Sequence, residues 1–307
     1  MAKSTSSKVW IIVLVLFGLL MISSLTALIF SVALFGTSFP AEGNVALIPI
    51  TGEISTDGSE SSWGEITTSS TDVMSFIEEA EKNNEIKAIL FEIDSPGGSA
   101  VASKEIVDAI KQAKKPKVAV IRELGASGAY WAASATDHII ADELSVTGSI
   151  GVLSSYLEFS GLMEKYGVKY HELTGGRYKD AGSPFKSLEP DEELLLKQKI
   201  NRIHSIFIDS VAQNRNLSRE KVEEVADGMF LLGIEAKEAG LVDEIGNRKT
   251  AEIWIKQRTN LTEVTYAEYV HEPTLLETLS KLKNQNSFWT GRGIASQFAE
   301  NKLKIRT

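Results

Sequence analysis

The sequence predicts an α/β domain built on a parallel sheet and preceded by one long uncharged segment. Short apolar runs alternate with segments of helical periodicity along the chain, and elements in that order pair as parallel strands joined by right-handed crossovers. The 307 residues are 43% hydrophobic and 24% charged, which is typical of a folded protein. Positions 9–35, 27 in all, contain no Asp, Glu, Lys or Arg.

The first half of the domain shows the alternation most clearly. The apolar run NVALIPI predicts a strand at 44–50, and Met74, Ile77 and Ala80 recur at the spacing of three that favours a helix over 71–82. The strand IKAILFEI ends in the turn sequence DSPGGS, and a helix follows to about residue 114. The strand KVAVIREL then precedes a helix of small residues at 125–136.

The second half is predicted from shorter signals and one long helix. Pro190 and three acids mark the start of a helix over 191–215, whose apolar residues recur on one face. The remaining strands are predicted at 138–141, 145–153, 168–173 and 261–270. The remaining helices are predicted at 156–166, 218–226, 233–239 and 252–259.

The uncharged segment predicts a membrane span. As a helix, 27 residues would be about 40 Å long, enough to cross a hydrocarbon core of roughly 30 Å. The segment is longer than the usual apolar region of a cleaved signal peptide, so an uncleaved signal anchor is favoured over that alternative and over a buried core helix. Lys3 and Lys8 precede it and only Glu42 closely follows, which places the N-terminus in the cytoplasm and the body outside it, on a single-pass anchor in the cell membrane.

The expected organisation has four parts. Residues 1–8 form a cytoplasmic N-terminus, 9–35 a transmembrane signal anchor, 36–272 an extracytoplasmic domain and 273–307 a C-terminal extension of weak periodicity.

Charge and composition exclude several classes of function. Residues 37–307 carry 30 basic and 41 acidic side chains, and so acidic a body argues against nucleic acid as a partner. The absence of cysteine excludes disulfides, a thiol nucleophile and cysteine-ligated metals. We expect no metal and no cofactor.

Two junctions after predicted strands could carry chemistry. Ser127 lies among small residues where a strand gives way to a helix, a placement that exposes a hydroxyl near helix amides. Taken alone, it is better explained as a helix N-cap. Gly97 and Gly98 follow the preceding strand and could present free N–H groups to an oxyanion, although taken alone they are better explained as a turn that needs positive φ. Because parallel strands end at the same edge of a sheet, the two junctions would face one crevice.

The residues alone do not identify a base for Ser127. None of the four histidines, at 138, 171, 204 and 271, has a local signature. Lysine can act as a base if burial leaves its amine neutral, and Lys179 lies in a segment that is neither charged nor periodic. Taken alone, however, Lys179 is better explained as a solvated lysine of a loop.

A resemblance distinguishes among these options. The ordered motifs SPGGS, GASGAYWAASATDHIIAD, TGSIGV, GRYKDAGSPF, FIDSVAQNR and GIEAKEAGLVDEIG resemble the signal peptide peptidase A family of membrane-tethered serine proteases in its short, single-domain form. The resemblance covers roughly residues 44–250. It implies the Clp-protease/crotonase-like fold of stacked β-β-α units, a homo-oligomer, and cleaved signal peptides and other apolar peptides as substrates.

The resemblance also implies roles for individual residues. Ser127 matches the nucleophile and Lys179 the general base, while Ser149 matches the serine that orients the lysine. The N–H of Gly128, with that of Gly97 or Gly98, matches the oxyanion hole. Ser127 and Lys179 could meet within one subunit or across an interface. Asp180 would favour the charged form of Lys179 if it pointed inward, so we expect it to face outward.

Three alternatives remain open from the sequence. The protein could be a Clp-like peptidase with a histidine base, a crotonase-type enzyme acting on coenzyme A esters, or a membrane assembly partner without activity. An extracytoplasmic location argues against the second alternative, because coenzyme A is cytosolic.

Overall fold

An eight-stranded, largely parallel sheet organises residues 42–270. The computed structural model describes residues 5–35, 42–58 and 67–270. The strands of that sheet are β1 Val45–Thr51, β4 Ala88–Ser95, β5 Lys117–Ala126, β6 His138–Ala141, β7 Val146–Gly148, β8 Phe230–Leu232, β9 Glu244–Ile245 and β10 Tyr266–Glu268. A second, two-stranded sheet pairs β2 Glu53–Ser55 with β3 Thr67–Ser69.

The strand order is β10-β1-β4-β5-β6-β9, and every pair along this path is parallel. Beyond this path, β7 pairs in parallel with the end of β5 and antiparallel with β8. The central strands are almost continuously buried, as expected for a parallel sheet covered on both faces. The structure confirms the α/β prediction with a mainly parallel sheet.

Eight helices are interspersed with the strands along residues 70–259 of this domain. Their bounds are α2 Ser70–Lys82, α3 Ala100–Gln112, α4 Gly128–Ser134, α5 Ser160–Lys165, α6 Pro190–Arg215, α7 Arg219–Glu223, α8 Gly233–Glu238 and α9 Arg248–Thr259. Helix α9 packs on the sheet through Ala251, Trp254 and Ile255, against Leu90 and Val118 among others. Helix α4 is buried along its whole length and contacts α3 and α6. It therefore begins, directly after β5, inside the fold.

Several predicted elements are wrong or too long. No strand forms at 168–173, where all six residues are exposed, because an extended segment without a neighbouring strand has no partner for its backbone groups. The helix predicted at 156–166 is reduced to α5, and the strands predicted at 145–153 and 261–270 are reduced to β7 and β10. Strand β5 continues to Ala126, so the helix predicted to begin at residue 125 begins at Gly128.

The N-terminal helix α1, Thr5–Phe35, belongs to a separate unit. Its side chains are described without interruption only over 13–27. Among the residues that the structure describes, no helix has both the length and the apolar character needed to cross a membrane. The C-terminal extension predicted at 273–307 lies outside the described residues.

Candidate active site

Ser127 lies in a strained turn between β5 and α4. Its φ of 53° and ψ of −124° are rare for a residue with a side chain. The Ser127 N–H donates to the carbonyl of Gly148 at 2.8 Å, and its carbonyl accepts from Trp131 N–H at 2.9 Å. Although Ser127 occupies the N-cap position, its side chain makes no capping hydrogen bond. The interpretation of Ser127 as a helix N-cap is therefore wrong, and its hydroxyl is not occupied by a capping hydrogen bond.

The loop after β4 is fixed by hydrogen bonds from a buried serine. Ser95 Oγ donates to the carbonyl of Gly52 at 2.6 Å and accepts from Gly97 N–H at 3.1 Å. On the far side of the loop, Ile54 N–H donates to the Gly97 carbonyl and Ser99 N–H donates to the Ile54 carbonyl, both at 2.8 Å. The backbone of this loop is therefore held from two directions, and the Gly97 amide is already used.

Gly97 brings this loop against the serine turn. It has a φ of +92°, and a Cβ built on it would lie 2.6 Å from Gly128 N and 3.0 Å from Ser127 Cβ. Only glycine permits that approach.

The two remaining amides are free and lie beside Ser127. No described residue accepts a hydrogen bond from the N–H of Gly98 or of Gly128. A Cβ built on Gly128 would lie 3.4 Å from Gly98 N, so the two amides are neighbours. Free N–H groups near a nucleophile can stabilise an oxyanion. Among the three glycines expected there, this geometry favours Gly98 and Gly128 and argues against Gly97 as a donor.

A cavity of about 310 Å³, lined by both apolar side chains and serines, opens next to Ser127. Trp131 and Phe207 stack with ring centroids 4.6 Å apart, and Trp131 Nε1 donates to Ser210 Oγ at 2.7 Å. The cavity is lined by Gly98, Ser99, Ala100, Ser103, Ser127, Gly128, Trp131, Gly151, Val152, Leu153, Ile203 and Phe207. A larger cavity of about 860 Å³, lined partly by Glu92, Arg122 and Arg248, includes none of the predicted site residues. We take the smaller cavity as the site because it contains the serine and both free amides.

The structure does not bring the predicted base into this cavity. Lys179 is exposed, is absent from the cavity lining, and its Nζ has no partner among the described residues. Ser149 has a φ of 49°, and its hydroxyl donates to the Gly228 carbonyl at 3.0 Å. Within one chain, Ser127 thus lies beside the glycines but not beside Lys179. The Ser149 hydroxyl is bonded to the Gly228 carbonyl and does not contact Lys179.

The expectation that the Asp180 side chain faces outward is wrong. Its side chain is only 9% exposed and pairs with Lys186, with Nζ and Oδ2 2.6 Å apart. Asp180 therefore points into its own segment, because a cation there compensates its charge. Sequence reasoning missed this pair and the hydrogen bonds of Ser95, although Ser95 lies in a motif that it singled out.

No described histidine lines the cavity. His204 Nε2 is 3.1 Å from the Ile150 carbonyl, and its neighbour Ile203 lines the cavity. His138 lies between Asp243 and Glu244 and stacks on Trp254. His171 is exposed, and the strand predicted around it does not form. His271 lies outside the described residues.

A serine on a strained turn, two free amides and a parallel α/β sheet form the arrangement that serine hydrolases use. Comparison with known proteins identifies the family. Residues 109–262, just over half of the chain, match peptidase family S49, and residues 62–140 match the Clp protease family. The chain belongs to peptidase family S49.

Its relatives carry consistent names. The chain is 35% identical over 198 residues to a candidate protease of Methanocaldococcus jannaschii, covering 64% of each chain. It is 34% identical over 218 residues to a candidate signal peptide peptidase SppA of Enterococcus faecium, covering 70% of this chain and 63% of the relative. It is 34% identical over 188 residues to the chloroplast serine protease SPPA of Arabidopsis thaliana, covering 60% of this chain and 28% of the relative. The matched region thus spans just under two thirds of the first two relatives.

A solved structure shows the same fold. A serine-to-alanine mutant of the membrane-bound stomatin-specific protease 1510-N superposes with a TM-score of 0.50 at 18% identity, over 76% of this chain and all of the other. At that identity the likeness concerns the fold alone.

Proposed function

We propose that this protein is a membrane-tethered serine endopeptidase that degrades remnant signal peptides and other apolar peptides. The observation that carries the proposal is the strained Ser127, whose hydroxyl caps no helix and whose neighbours Gly98 and Gly128 present free amides. Membership of peptidase family S49 and the names of the relatives support the reaction class. The proposal includes the stacked β-β-α architecture of the Clp-protease/crotonase fold.

The proposed reaction is acyl transfer in two steps. The neutral amine of Lys179 removes the proton from Ser127 Oγ, and that oxygen attacks the peptide carbonyl carbon. The oxyanion accepts hydrogen bonds from Gly98 and Gly128 while the C–N bond breaks, and the lysine returns the proton to the leaving amine. Water then hydrolyses the acyl-enzyme, with Lys179 again serving as the base.

Lys179 is proposed to reach Ser127 from a neighbouring subunit of a homo-oligomer. It is exposed in the single chain, and exposed apolar residues lie on both sides of it in sequence, among them Leu173, Tyr178 and Phe185. Apolar side chains exposed in such a density favour burial against a partner. Contact with that partner would also exclude water from the amine, a condition for its neutrality. Ser149 would orient the lysine after exchanging its bond to Gly228.

The substrate class follows from the cavity and the N-terminal segment. The cavity beside Ser127 is walled mainly by apolar side chains, which suits an apolar residue preceding the scissile bond. The uncharged segment at 9–35 would hold the catalytic domain outside the cytoplasm and beside peptides left in the bilayer.

Labelling by a serine-directed phosphonate on the detergent-solubilised full chain tests the proposal. We expect the wild-type protein to be labelled and Ser127→Ala and Lys179→Ala to be folded but inactive. Activity that survives Lys179→Ala and disappears in His204→Gln would favour the Ser–His alternative. A folded wild-type protein that neither reacts with the phosphonate nor cleaves peptides would favour an assembly partner without activity. Turnover of a coenzyme A ester in place of peptide would favour the crotonase-type alternative.

A further inference from the structure

A largely buried ion triad includes Asp180, the residue that follows Lys179 in the chain. Lys186 Nζ is 2.6 Å from Asp180 Oδ2 and 2.8 Å from Glu192 Oε1. The Asp180 and Glu192 side chains are only 9% and 4% exposed, although the segment before them, 164–179, is exposed throughout. Two carboxylates are therefore buried around one cation in an otherwise solvated part of the chain.

The triad connects the loop at 177–181, the Lys179 loop, to the start of α6. Glu192 lies in the first turn of that helix, and its Oε2 accepts from Glu189 N–H at 3.2 Å. On the other side of Lys179, Arg177 Nη2 donates to Asp191 Oδ2 at 2.8 Å.

Tyr178 makes a further contact between this loop and α6. Its hydroxyl donates to Asp191 Oδ2 at 3.2 Å, so the residues on both sides of Lys179 are held by α6. Lys179 is the one residue from 177 to 180 whose side chain has no partner among the described residues. The loop therefore presents this amine outward from a fixed support.

The triad also controls the charge next to Lys179. Glu172 and Lys186 interact electrostatically with Asp180, and Glu192 interacts with Lys186 and Glu172. A hydrogen bond with Asp180 raises the pKa of Glu172, and the same bond together with Lys186 lowers the pKa of Asp180. Asp180 and then Glu192 raise the pKa of Lys186. Removal of the Lys186 cation would leave the Asp180 and Glu192 carboxylates without their partner in the segment that carries Lys179.

We propose that Asp180, Lys186 and Glu192 are positioning residues for the general base. They hold the loop on α6 and turn the Asp180 carboxylate away from Lys179, so that the amine can be neutral when it meets the serine. This inference rests on the proposed role of Lys179. A buried ion triad is poor evidence of a gain in stability, since apolar residues of similar volume often stabilise a fold as well, and a role in orientation accounts for it better.

The variant Lys186→Met tests the electrostatic part. With the cation removed, the carboxylates favour the ammonium form of Lys179. The value of kcat/KM rises with pH as the base loses its proton, and we expect this rise to shift to higher pH by about one unit. The double variant Lys186→Met with Asp180→Asn should move the rise back. Lys197→Met, which breaks the exposed pair with Glu193 on α6 and touches no residue of the loop, is the matched control and should leave the rise in place.

The variant Glu192→Gln tests the mechanical part and retains the pair between Lys186 and Asp180. We expect faster backbone hydrogen exchange over 177–181 and a lower kcat at unchanged KM.

The outcomes separate this inference from the proposed function. A folded Lys186→Met enzyme with the wild-type pH profile, or Glu192→Gln with wild-type exchange in the loop, overturns the inference even if Lys179→Ala is inactive. Should Lys179→Ala keep full activity, the proposed base itself is wrong.

Discussion

Gly97 and Ser127 approach each other so closely that a Cβ on Gly97 would lie 3.0 Å from the Cβ of Ser127. The glycine belongs to the loop after β4, and the serine belongs to the turn after β5. Their contact brings the free amide of Gly98 to the Ser127 turn, and it depends on the absence of one methyl group.

Gly97→Ala should therefore abolish most of the activity. The added methyl would lie 2.6 Å from Gly128 N, and the positive φ of Gly97 adds backbone strain. Because both free amides would be displaced, we expect kcat to fall by roughly 100-fold or more. Peptide hydrolysis and phosphonate labelling measure this effect. In the control Gly161→Ala, where nothing lies within 4 Å of the added Cβ, activity should be unchanged.

Ser95→Ala should lower kcat with little change in KM. The substitution leaves the Gly97 N–H and the Gly52 carbonyl without their buried partner, which costs roughly 1–3 kcal/mol of stability and loosens the loop that carries Gly98. Denaturant unfolding and steady-state kinetics together measure both effects.

Ser134→Ala is the matched control for Ser95→Ala. Ser134 is also fully buried, donates to the Trp131 carbonyl and accepts from Asn214, but does not line the cavity. It should lose similar stability and keep its kcat. An equal loss of kcat in both variants would show that the effect of Ser95 is only structural.

Ile203→Phe should narrow the choice of substrate. Ile203 lines the cavity, so a larger ring there reduces the volume available to the residue before the scissile bond. We expect the ratio of kcat/KM for leucine over alanine at that position to fall by roughly 10-fold or more. Ile206→Phe, at a 40% exposed position on the same helix and outside the cavity lining, should leave the ratio unchanged. A ratio that stays constant in Ile203→Phe would mean that the cavity does not hold this side chain.

Mixing two inactive variants should restore activity. If Lys179 of one subunit serves Ser127 of another, subunits of Ser127→Ala and Lys179→Ala that are unfolded and refolded together form some complete sites. Random assembly predicts activity at roughly a quarter of the wild-type level. The comparison is each variant refolded alone. Complete inactivity of mixed oligomers would place the serine and lysine within one subunit.

The class of fold could be predicted from the sequence alone, as could the meeting of the two candidate-site motifs at one edge of the sheet. The apolar runs in β1, in β4 and in the first half of β5 favour a sheet buried on both faces, and the motifs after β4 and β5 meet because parallel strands end at one edge. Features of this kind can be predicted because they depend on residues that are close together in the chain.

The tertiary structure decided what depends on distant partners. Gly98, not Gly97, keeps a free amide because Ser95 Oγ takes the N–H of Gly97. No strand forms at 168–173 because no neighbouring strand is available, and Asp180 turns inward because Lys186 and Glu192 supply its partners. A hydrogen bond or an ion pair between distant residues leaves no periodicity in the sequence, so only the folded chain reveals it.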